Sequence, residues 1–133
     1  MRIKNAAISL VVTVSMYSCD PGQILNIKVA PKPNLFVKIY GDKDVLPYSV
    51  EKTGKAIIRV PSSDTSSDYD KSFMYRIGNW KGDAIVKFSN NIDSIILNTT
   101  IGKIVLIKKP EIIKCLKQHR SGSMENVLTI QVN

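Results

Sequence analysis

At 133 residues the chain has room for one domain. Apolar residues at 44% supply a core, and charged residues at 23% are too few for a disordered polyelectrolyte. The net charge of +8 would admit anionic partners, but the basic residues are scattered rather than run together, which describes a solvated surface and not a polyanion groove.

The chain opens Met1-Arg2-Ile3-Lys4-Asn5, continues from Ala6 to Tyr17 without a charge, and reaches Ser18-Cys19. A basic start, a short apolar stretch and a small residue before a cut site form the three-part pattern of a secretory signal peptide, expected over residues 1–18. The stretch falls short of the roughly 20 residues that a membrane-spanning helix needs. Without Arg2 and Lys4 the remainder holds 17 Lys and Arg against 11 Asp and Glu, a net charge of +6.

Met16-Tyr17-Ser18-Cys19 resembles the lipobox of bacterial lipoprotein precursors. Ser18 directly before Cys19 is the specific part of the likeness; Tyr17 departs from the usual pattern. The resemblance implies cleavage before Cys19, acylation of its sulfur, and permanent attachment to a membrane facing the periplasm. It also implies that Asp20, directly after the lipidated Cys19, favours retention at the inner membrane in an enterobacterial host. Residues 19–23 then form the lipidated cysteine and a short polar tether, Asp20-Pro21-Gly22-Gln23. The other thiol is Cys115. In an exported chain a Cys19–Cys115 disulfide is the alternative to acylation; an acylated Cys19 excludes it and leaves Cys115 as a small buried apolar residue.

Residues 24–133 read as a single β-rich domain. Apolar runs recur at Ile24–Val29, Leu35–Tyr40, Ala56–Val60, Phe73–Ile77, Ala84–Phe88, Ser94–Thr99, Lys103–Lys108 and Val127–Val132, rich in residues that suit a pleated, half-buried surface. Turn chemistry separates them at Pro31-Lys32-Pro33-Asn34, Gly41-Asp42, Gly78-Asn79, Gly82-Asp83 and Asn90-Asn91. Leu35, Val37 and Ile39 should point inward. Ile104 and Leu106 contrast less with Val105 and Ile107, which predicts a central strand covered on both faces. The fold class is therefore all-β, a sandwich or barrel of seven to eight antiparallel strands. One short helix is expected near 110–120, where Pro110 and Glu111 lead and Lys117, His119 and Arg120 follow. Residues 61–71 form the longest polar loop.

No catalytic residue, metal site or cofactor is assigned. His119 is the only histidine. With Cys115 four residues before it, a thiol–imidazole pair is conceivable, but no orienting acid accompanies it. Asp64, Asp68 and Asp70 suggest calcium, yet an EF-hand loop starting at Asp64 would place Tyr69 where Gly is required and Tyr75 where Glu is required. The candidate partner-binding residues are Asp64, Asp68, Tyr69 and Asp70, an aromatic among acids, together with Trp80. Trp80 either packs over an open end of the sheet or is offered to a partner.

By exclusion the chain reads as a non-enzymatic protein that binds a protein partner. In size, leader and strand plan it is similar to small periplasmic immunity lipoproteins encoded beside type VI secretion effectors. That resemblance implies neutralisation of a secreted antibacterial effector and transfers no functional residue. A basic inhibitor suits a phospholipase or cell-wall hydrolase better than a nuclease, whose basic cleft calls for acid. The other readings are a structural envelope or secretion-apparatus lipoprotein and a small lipid- or ligand-binding barrel. Nucleic acid is not an expected partner, because the aromatics do not interleave with basic residues along the sequence.

Overall fold

The computed structural model describes residues 21–46, 55–62, 69–122 and 124–133. They form two four-stranded sheets with two short helices, a β-sandwich-like arrangement. The strands are β1 (Gly22–Val29), β2 (Phe36–Asp42), β3 (Lys55–Pro61), β4 (Tyr69–Ile77), β5 (Ile92–Thr99), β6 (Gly102–Leu106), β7 (Arg120–Ser121) and β8 (Val127–Val132). Helix α1 (Ala84–Ser89) precedes β5, and α2 (Lys109–Lys117) follows β6.

Alternation drives the assembly. Leu25, Ile27 and Val29 of β1, Val37 and Ile39 of β2, and Ala56, Ile58 and Val60 of β3 are all buried, with half-buried or exposed residues between them. Side chains two apart share a face of a strand, so each strand has one apolar side to hide. The inward rows of both sheets merge into one core with Ile85 and Phe88 of α1 and Ile112 and Leu116 of α2. Leu35, Val37 and Ile39 point inward, as their spacing requires.

The first sheet runs β4-β1-β8-β7 and the second β3-β2-β5-β6. Every pairing is antiparallel except one: β1 and β8 run parallel, with Ile24 opposite Val127 and Val29 opposite Val132. The expectation of purely antiparallel strands is corrected there. Strand β1 also starts two residues early. Gly22 pairs with Ile77, the buried Gln23 donates from Nε2 to the Asn79 carbonyl at 2.6 Å, and the Gly78 N–H donates to the Pro21 carbonyl at 2.7 Å. Gly22 and Gln23, expected in the tether, therefore lie in β1.

Two further elements differ from expectation. Ala84–Phe88 is helical. A run of five apolar-rich residues satisfies both periods, and here Ile85, Phe88 and Ser89 face the core at helical spacing while Lys87 pairs back to Asp83 at 3.3 Å. Strand β6 lies at the edge of its sheet, not at its centre, and four of its five residues are exposed. The expected helix near 110–120 is present as α2, with Pro110 and Glu111 in its first turn and Lys114 and Lys117 in its last. No described helix is long and apolar enough to cross a membrane.

Candidate functional site

The residues singled out as partner-binding do not converge among the described residues. Asp64 and Asp68 lie outside the described residues, as does the lipidation candidate Cys19. Tyr69 and Asp70 begin β4, with their backbone opposite Val29 and Lys28 of β1, so the polar loop is shorter than residues 61–71. Trp80 takes the packed alternative. It is fully buried, its Nε1–H donates to the Ile24 carbonyl at 3.1 Å, and its own carbonyl accepts from Arg120 Nη1 at 3.2 Å. Its ring lies parallel to Tyr75 at 6.1 Å and edge-on to Phe88 at 5.2 Å. Trp80 thus closes the end of the sandwich where β1 begins, and a partner would find no surface of it to touch.

Cys115 and His119 do not form a pair suited to catalysis. Cys115 is buried on α2, where removal from water pushes its thiol up to about 11. His119 lies beyond the end of the helix and is exposed. A thiol held neutral at physiological pH is a packing group and a weak nucleophile.

The surface that stands apart is the β6 edge. Among the described residues, four of the eight large apolar side chains left exposed fall within 101–107: Ile101 at 93%, Ile104 at 42%, Val105 at 46% and Ile107 at 66%. An edge strand exposes a row of backbone donors and acceptors, and proteins usually blunt such an edge with charge or proline. Lys103 is the only charged residue on β6.

The antiparallel register sets Leu97 opposite Ile104 and Ile95 opposite Leu106, so these residues share the inward side of the sheet. Ile95 is covered by the core. Leu97, Ile104 and Leu106 instead look across at α2 and leave a groove of about 310 Å³. Cys115 lines it from the helix, with Glu111, Lys114 and Gln118 beside it. The same helix turns Ile112 and Leu116 into the core, so α2 is anchored by one stripe and presents the next to the groove. Lys109 holds the start of α2 in place by donating from Nζ to the Ser89 and Ile92 carbonyls. Lys114 and Glu111 line the groove, and Lys103, Lys108 and Lys117 belong to the same stretch of chain, β6 to α2.

Sequence reasoning missed this site. The warning was present in Ile104-Val105-Leu106-Ile107, apolar at four successive positions where a half-buried strand should alternate. The sequence predicts a covered strand there because it shows the apolar faces and not what lies next to them. No protein family, no curated protein and no solved structure matches this chain.

Proposed function

We propose that this is an exported, lipid-anchored protein whose domain binds a protein partner at the β6 edge, and that the partner is a secreted antibacterial effector which it neutralises. The observation that carries the binding reading is the exposed apolar edge itself. Contiguous apolar surface on a small domain marks a contact site or an aggregation hazard, and here it borders a preformed groove. Anchoring is supported by the basic start, the apolar run and Ser18-Cys19. The Pro21 carbonyl is bonded to the domain and only Asp20 stands between Pro21 and Cys19, so acyl chains on Cys19 would hold the domain close against a bilayer with almost no slack.

Two measurements test the two halves. The intact mass of protein extracted from membranes should correspond to a chain beginning at acylated Cys19; a mass that retains Met1 and carries no lipid refutes the anchor. Cells lacking the protein should become sensitive to the effector encoded beside its gene and regain resistance when the full chain is restored. Unchanged sensitivity refutes neutralisation.

A further inference from the structure

The β6 edge and the groove beneath α2 have a geometry that identifies the form of the partner. We infer that the partner supplies an extended segment that joins β6 as an additional strand, with alternate apolar side chains turned into the groove and acidic residues at its flanks. The inference rests on the protein-binding reading above and specifies how that binding is made.

Two observations carry it. Strand β6 terminates the order β3-β2-β5-β6, so its outer edge is where a further strand would pair. The groove lies on the inward side of that edge, alongside Ile104 and Leu106. A strand laid on β6 continues the pleat, which directs every second side chain toward Leu97, Ile104, Cys115 and the stem of Lys114. The remaining side chains lie beside Lys103 and Val105 on the outer face. Main-chain hydrogen bonds would then supply affinity, and the groove would select side chains.

Charge selects among possible occupants. The segment 101–117 that forms β6 and α2 carries Lys103, Lys108, Lys114 and Lys117, besides the tied Lys109, and one acid, Glu111. A second copy of this chain would bring these lysines toward their own equivalents, and like charges in apposition oppose association. An acidic segment gains from the same field.

The test uses full-length protein in nanodiscs of neutral phosphatidylcholine and a fluorescent peptide, Glu-Asp-Val-Thr-Leu-Thr-Val-Asp-Glu, read by anisotropy. One control peptide is N-methylated at alternate central amides, which removes strand pairing and keeps the side chains. Another carries Lys in place of the flanking acids. The acidic peptide should bind, and both controls should be weaker by about tenfold or more. Ile104→Lys should weaken binding by a similar factor with little change in the unfolding midpoint. Absence of binding, equal binding of the methylated peptide, or equal binding of the Lys-flanked peptide each overturns the inference. So does sedimentation of the protein as a dimer that Ile104→Lys abolishes, because the occupant is then a second copy. If the Ile104→Lys protein still protects cells fully from the effector, strand addition at β6 fails while the neutralising role stands. If the peptide binds as described but cells without the protein are no more sensitive, the role fails while the edge stands.

Discussion

Cys115 shows what burial does to a group that sequence alone could place but not characterise. Its thiol, pushed up to about 11 from the usual 9.0 by loss of solvent, is protonated in the folded domain over a range where an unfolded chain would ionise it. The folded state then holds more protons than the unfolded state between those values, so stability is intact below pH 9 and declines as pH rises toward 11. The loss should reach about 2–3 kcal/mol by pH 11, visible in urea unfolding as a fall in midpoint that Cys115→Ala removes. A midpoint equally steep in the variant would assign the effect to other groups. Trp80 makes a related point. Its place beside Gly78-Asn79 was legible as a turn, but its direction was decided by carbonyls and rings from Ile24, Tyr75 and Phe88, which are distant in sequence.

Among the elements, those with long unambiguous patterns were legible. The alternation of β1 and β2 and the charge order of α2 each carry enough positions to choose one period. Helix α1 has six residues, and strand alternation would group Ala84, Val86 and Phe88 while helical spacing groups Ile85, Phe88 and Ser89. Ile85 is fully buried and Val86 is 41% exposed. Ile85→Ala should therefore cost about 2–5 kcal/mol and Val86→Ala less than about 0.5 kcal/mol in denaturant unfolding. The reverse ranking would restore the strand. Strand β6 failed for a different reason. Its apolar character was visible, but whether a strand is central or at an edge depends on which neighbours pair with it, and Gly102–Leu106 contains no information about that. A local rule broken without compensation within the domain is the kind of disagreement that marks a surface used by something else.

At the scale of the whole molecule, the all-β class followed from the spacing of the runs, and the division into two sheets required the pairings themselves. The parallel contact between β1 and β8 was beyond reach, because each strand alternates in the same way whichever direction its neighbour takes. That contact has a consequence in time. Residues 127–132 fill the slot between β1 and β7, so a ribosome-bound chain that has not yet made them lacks the centre of the first sheet. Deleting residues 127–133 should abolish the cooperative thermal transition followed by circular dichroism; a folded truncate would contradict this. Contacts this remote along the chain form slowly, so the first sheet closes late, and the growing polypeptide must wait for β8 to arrive beside β1 before that half of the sandwich has a middle.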